Sequence, residues 1–424
     1  MTELILGWRE ASFLHGGRVL AWGRVLAVLA VAGLVALAAV THLGTRPDPF
    51  GRPFGTDFSS FWAAGKLALA GSAAASWDPA AHAAAERSQF SPDAGFAPDY
   101  YAFFYPPPFL LLCAPLALLP YGFGLIVWLA ATGAAYVGAV RALLPRAWPG
   151  LLAPLAMPAF LTNAGHGQNA ALSAALFGVA CAQMDRRPCL AGACLGALCF
   201  KPQLALPILP ALLAAGRWRT LAAAGASAGL LGLLSLLIFG PAPWQHFMAA
   251  GALARVALES GAVGFGKMVS PFAAVRLLGG PVALAWAVQA IASIGACVAA
   301  TLAASRRCTG AAELATLAAA ACVATPFLLD YDLLILAVPM AWVAAEAEAS
   351  LYLPWEKAAL AAAALLPLVA RPLALAAGIP TAPLVTAAML AIVLRRAMAG
   401  PDATALVRSR RSALPPRGPP GLPP

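Results

Sequence analysis

Several apolar runs in this chain, among them Val25–Leu43, Tyr121–Leu143, Thr220–Phe239 and Pro281–Ala304, are about the 20 residues long that an α-helix needs to cross the hydrocarbon core of a bilayer. Composition agrees: 62% of residues are hydrophobic, 10% are charged and the mean hydropathy is +0.81. A water-soluble domain could not carry that balance without exposing apolar surface. The chain therefore reads as an all-α, polytopic integral membrane protein. The formal net charge of +10 does not point to nucleic acid, because the arginines stand in short clusters beside the apolar runs, where they act as topology signals. The eight cysteines lie in or beside apolar runs and the five histidines are scattered, so neither a disulfide framework nor a metal site nor any cofactor is expected.

Taken in order, the first run follows Arg9, Arg18 and Arg24 and lacks the small-residue cleavage site of a signal peptide, so it is expected to be retained with a cytoplasmic N-terminus. Alternation then puts residues 44–108 outside. In this loop Phe58–Ala70 and Pro79–Phe90 look like short interfacial helices, introduced by Asp57 and Asp78 at cap positions. Glu86, Asp93 and Asp99 add carboxylates, and Tyr100, Tyr101, Phe103, Phe104 and Tyr105 form an aromatic cluster. Phe109–Leu119 is a half-helix beside the true span Tyr121–Leu143, which ends at Arg141 and Arg146.

A hairpin of Leu151–Leu161 and Ala170–Met184 follows, closed inside by Asp185-Arg186-Arg187, and its outer turn, 163–169, holds the only two asparagines of the chain beside His166 and Gln168. Leu190–Phe200 and Leu204–Ala215 form a broken hairpin around Lys201-Pro202-Gln203, a pattern tolerated in membranes where it lines a cavity. A second external segment, 240–269, carries Trp244, His246, Glu259 and Lys267. Pro281–Ala304 returns to Arg306 and Arg307, and Ala311–Phe327 leads to an outer turn at Asp330-Tyr331-Asp332 before Leu333–Ala345. Ala358–Ala370 and Leu384–Leu394 then end at Arg395-Arg396. Every arginine pair falls on the side of both termini, giving about 10–12 transmembrane helices in a single domain, 1–397. The Pro- and Arg-rich tail, 398–424, reads as disordered and cytoplasmic.

This topology brings Asp57, the 163–169 turn, Lys201, and Asp330 with Asp332 to one side. A reaction there that used a lipid phosphate as carrier would need a cation, which Lys201 could supply, and a carboxylate base for an attacking hydroxyl, a role open to Asp57. Asn163, His166, Gln168 and Asn169 could hold sugar hydroxyls. Each group also has a plainer reading: Asp57 as a helix cap, Lys201 as a snorkelling lysine, the 163–169 residues as a solvated turn, and Tyr105 as part of an aromatic belt. A secondary transporter or a lipid-handling protein would share the hydropathy, but no internal repeat is visible.

The ordered set Gly55-Thr56-Asp57-Phe58, Trp77-Asp78-Pro79, Tyr105-Pro106-Pro107, Gly167-Gln168-Asn169, Phe200-Lys201-Pro202, and Thr325-Pro326 with Tyr331-Asp332 resembles glycosyltransferase family 87. These are GT-C-type membrane enzymes that include mycobacterial polyprenyl-phosphate-mannose-dependent mannosyltransferases. The resemblance runs from about Leu26 to Leu394. It implies a GT-C-like fold at the inner (plasma) membrane. There a hexose, with mannose one candidate, would move from a polyprenyl-phosphate sugar to a lipid or glycan hydroxyl at the periplasmic face, with inversion. Asp57 matches the base and Lys201 the residue near the donor phosphate, while Tyr105, Asn163, His166, Gln168, Asn169, Tyr331 and Asp332 would contact substrate. The mycobacterial branch carries a histidine pair where this chain has Tyr331-Asp332, which leaves sugar and acceptor open. No phosphate-binding loop for a nucleotide is present, so a nucleotide-sugar donor is not expected.

Overall fold

The computed structural model of the protein describes residues 7–90, 95, 99–145, 152–306 and 308–412. Asp93, Arg146 and Arg307 lie outside the described residues, as does the tail beyond Ser412. The architecture is all helical; the one sheet-like feature among the described residues is an isolated antiparallel bridge between Met268 and Leu329.

Six of the described helices are long and apolar enough to cross a membrane: Gly16–Val40, Tyr121–Leu143, Trp218–Phe239, Val282–Ser305, Glu356–Ala377 and Ala382–Ala399. Their outward surfaces are greasy. Gly16–Val40 buries only Ala27 and Ala30, and Trp218–Phe239 only Thr220 and Ser235, so both present a nearly complete apolar face to lipid. Five shorter apolar helices among the described residues, Ala170–Gln183 and Gly310–Ala324 included, fall below the length of a full span, so the structure has six span-length helices where 10–12 were expected. A 15-residue helix rises about 22 Å, short of a bilayer core of about 30 Å. Gly310–Ala324 can stop short because protein surrounds it: every residue except Ala311 is buried.

Small residues decide how closely these helices approach. In the broken hairpin Gly192 and Gly196 lie four residues apart on one face of the Pro188–Ala197 helix, and a Cβ at either would collide with the backbone oxygen of Thr220 or Ala224 on the neighbouring span. That is the small-xxx-small packing of membrane helices, reinforced by Ser227 Oγ, which donates to Ala193 O at 2.9 Å. The hairpin is broken as expected: a 3-10 turn, Leu198–Phe200, precedes Lys201, and a second, Pro202–Ala205, follows it.

Ion pairs tie together the side that carries the arginine clusters. Arg217 reaches Asp185 at 3.1 Å and Glu313 at 3.1 Å. Arg396 makes a forked contact with the wholly buried Glu356 at 2.7 and 2.5 Å. The last helix, Ala382–Ser412, continues past Leu394.

Candidate active site

The site begins with a turn that only glycine accommodates well. Gly55, at φ 79°, forms the N-cap of the Thr56–Leu69 helix, and its N–H donates to Gly165 O at 3.1 Å. Gly167, at φ 64°, ends the Pro158–His166 helix, and a Cβ there would press on Phe58. These two left-handed glycines let the two helix tips meet. The Tyr121 hydroxyl pins the turn from 2.6 Å to Phe54 O and 2.9 Å to Gly55 O. Trp128 Nε1 donates to Gly167 O at 2.9 Å. Phe58, Phe61 and Trp62 anchor the helix in the core.

Asp57 therefore lies inside the first turn and is not the cap. The capping reading fails for it but holds for Asp78, whose side chain accepts from Ala81 N at 2.8 Å. Protein crowds the Asp57 carboxyl and pushes its pKa up to about 7 by desolvation, against the pull of Lys201 and Lys267. Even so, 24% of the side chain stays exposed. Asp57 is thus accessible and poised near neutrality, as a general base should be.

A ring of polar groups surrounds it. His166 Nδ1 lies 3.8 Å from Asp57 Oδ2 and 2.7 Å from Thr56 Oγ1. Burial lowers the imidazole to about 4, so near pH 7 the contact joins a neutral ring to a carboxyl and is no ion pair. Gln168 links two tyrosines: its Oε1 accepts from Tyr105 OH at 3.0 Å, and its Nε2 donates to Tyr331 OH at 3.0 Å. The Asn169 amide, wholly buried beside Tyr105, has neither polar atom in a well-formed hydrogen bond. Asn163 is otherwise engaged, for its Oδ1 accepts from Ala171 N at 3.2 Å and holds the start of the next helix.

Lys201 and Asp332, expected to serve donor phosphate and substrate separately, meet each other at 2.6 Å. Asp332 Oδ2 also accepts from Leu329 N at 3.3 Å, and the Tyr331 ring lies 5.6 Å from the Lys201 ammonium. This cation already has its counter-ion.

Three further groups were not among the expected site residues. Arg371 Nη1 stands 3.5 Å from Asp330 Oδ2, and Lys267 lies in the same field as Asp57, Asp330 and Arg371. An arginine inside an apolar helix is itself a functional signal, and Arg371, between Ala370 and Pro372, carried it. Glu86, expected as a loop carboxylate, is buried behind Asp57 and accepts from Ser59 Oγ at 2.6 Å and from Tyr101 N at 3.1 Å. Desolvation pushes it up to about 7 as well. Among the described residues no three His, Cys, Asp or Glu side chains cluster so as to hold a metal ion.

A polytopic helical membrane protein with a near-neutral carboxyl among amides, tyrosines and cations is equipped for group transfer between hydroxyl-bearing substrates. The comparison with protein families makes this specific: the family model for glycosyltransferase family 87 matches residues 103–330. More than half of the chain is covered, and the chain belongs to that family; it is a membrane glycosyltransferase. The match includes Tyr105, the 163–169 turn, Lys201, Lys267 and Asp330, while Asp57, Tyr331, Asp332 and Arg371 lie beyond its ends. No curated protein and no solved structure matches the chain significantly.

Proposed function

We propose that the enzyme transfers a hexose from a polyprenyl-phosphate sugar to a hydroxyl of a lipid or glycan acceptor, with Asp57 as general base. The observation that carries this reading is the Asp57 carboxyl itself, accessible and held near pH 7. In the step, the acceptor hydroxyl gives its proton to Asp57 as its oxygen bonds to the anomeric carbon. The bond from that carbon to the phosphate oxygen breaks, its electron pair leaves with the phosphate, and displacement from the opposite face inverts the anomeric centre. Gln168, held between Tyr105 and Tyr331, would present these hydroxyls to the sugar, and Asn169 offers an amide without a settled partner.

A groove of about 520 Å³, walled by Phe104, Leu258, Trp286 and Phe327 with Gln203 and Arg255 at its polar part, supports a prenyl-chain donor. The arginine clusters support a topology in which both termini are cytoplasmic and the pocket faces the periplasm across the inner membrane, with 1–397 acting as one domain. The test is transfer by purified enzyme in lipid nanodiscs, with polyprenyl-phosphate mannose, glucose and arabinose offered separately beside a lipid and glycan extract. Consumption of one donor with formation of a glycosylated product is expected. Binding of polyprenyl phosphate without consumption of any donor would sink the proposal.

A further inference from the structure

Lys201 is matched charge for charge by Asp332 at 2.6 Å, in a pair whose side chains are only 6% and 5% exposed. An arriving phosphate would have to break that pair and leave Asp332 buried without its cation, a costly exchange. On the other flank of Asp57 the balance differs. Lys267 belongs to the short 3-10 turn Phe265–Lys267, and its ammonium makes neither a hydrogen bond nor an ion pair to the described residues. It is half-buried, in the combined field of Arg371, Arg52, Asp57 and Asp330.

The placement of Lys267 is built. The Met268–Leu329 bridge, with Val269 N donating to Leu328 O at 2.9 Å, fastens the turn to the segment that carries Asp330. At Gly266 a Cβ would stand 2.7 Å from Leu375 Cδ2, so the missing side chain allows the turn to lie against the Glu356–Ala377 helix that carries Arg371. Phe265 is held by the Arg276 guanidinium 5.3 Å from its ring centroid. Among the described residues the sole anion on Arg371 is Asp330, at a loose 3.5 Å, and 28% of the Arg371 side chain remains exposed.

We propose that Lys267 and Arg371 form a phosphate-ester subsite beside Asp57, and that Asp330 occupies the arginine as a placeholder carboxylate until the phosphate arrives. A planar guanidinium and a mobile ammonium together suit a phosphate, the first by forked donation and the second as a point charge. Asp330 is as buried as Asp332, but its pair with Arg371 is the looser one, 3.5 Å against 2.6 Å, so the exchange gives up less there, and Asp330 keeps its hydrogen bond from Tyr331 N at 2.9 Å. The ligand class rests on the transferase reading, in which a phosphate ester is both the donor's bridge and the leaving group.

The test is a binding titration in nanodiscs with farnesyl phosphate as probe, with farnesol as its neutral counterpart. Inorganic phosphate and phosphatidylglycerol serve as competitors that separate a free or lipid-borne anion from a prenyl phosphate. Lys267→Gln should weaken farnesyl phosphate binding roughly tenfold, and Arg371→Gln at least as much, with farnesol unchanged. Asp330→Asn should tighten it several-fold by removing the competing carboxylate, an effect that a purely structural Asp330 would not give. Should Arg371→Gln fold poorly, Lys267→Gln and Arg371→Lys still decide, since Lys267 has no partner among the described residues to strand. Wild-type affinity in Lys267→Gln together with weaker binding in Asp330→Asn would overturn the subsite. Phosphate binding that depends on Lys267 in an enzyme that transfers no sugar would instead preserve the subsite and refute the transferase mechanism.

Discussion

Lys201 donates to Asp332 across 2.6 Å although 131 residues separate them in sequence, and neither side chain has meaningful access to water. The pair ties the break of the short hairpin to the turn that carries Tyr331, which receives the Gln168 amide. Removing one partner leaves the other charge buried and alone, so Lys201→Met or Asp332→Leu should cost about 3–5 kcal/mol of stability. The double replacement should recover most of that loss, as read by thermal unfolding in detergent. A Lys201 that served chiefly as a phosphate ligand would show little destabilisation in the single variant.

Desolvation sets the pH dependence of transfer. A general base works as the ionised form, and Asp57 is held at about 7. The rate should therefore fall about tenfold per unit as pH drops below 7 and level off above it. The limb is measured as kcat/KM for donor against pH, where a profile flat between pH 5 and 8 would exclude Asp57 as the titrating group. His166, pushed down to about 4, stays neutral across that window and contributes no limb of its own.

Glu86 ties stability to pH in the opposite direction. Burial raises its folded pKa to about 7, above the ordinary carboxylate value of about 4.3 in an unfolded chain. Its contribution is then complete below the unfolded value and is lost as pH rises through about 7. Ser59 Oγ, 2.7 Å from Thr56 O and 2.6 Å from Glu86 Oε1, has one proton to give, so a protonated Glu86 can donate to it in turn. Gln reproduces that pattern. Glu86→Gln should match the wild-type Tm below about pH 4 and exceed it by a margin that grows until about pH 7.

Helix packing provides a check independent of the site. Gly196→Val places a branched side chain against the backbone of Ala224 and should cost about 1–3 kcal/mol by overpacking, more if the spans separate. Gly225 has nothing within 4 Å of its Cβ position, so Gly225→Ala on the neighbouring span should leave the Tm unchanged or raise it slightly.

Much of this was legible in the sequence. Apolar runs and arginine pairs marked the long helices, and their alternation gathered Asp57, the 163–169 turn, Lys201 and Asp330 with Asp332, which the structure also brings together. The pairing of Lys201 with Asp332 was hidden because a charge in a broken hairpin looks the same whether it meets a ligand or a distant carboxylate. Asn163 looked like its twin Asn169, yet one holds a helix start while the other is buried without a settled bond. Lys267 was placed only within an external segment, because only the bridge at Met268 and the close approach at Gly266 reveal what it faces. Arg371 was passed over as the flank of the apolar run before it, although its helix continues to Ala377.

The most direct test of the central claim is the rate of sugar transfer by Asp57→Asn in nanodiscs, measured beside its affinity for farnesyl phosphate. The account predicts a loss of about 10²–10⁴-fold in rate with phosphate affinity kept close to wild type. An Asp57→Asn enzyme that folds, inserts and transfers sugar at the normal rate would contradict it.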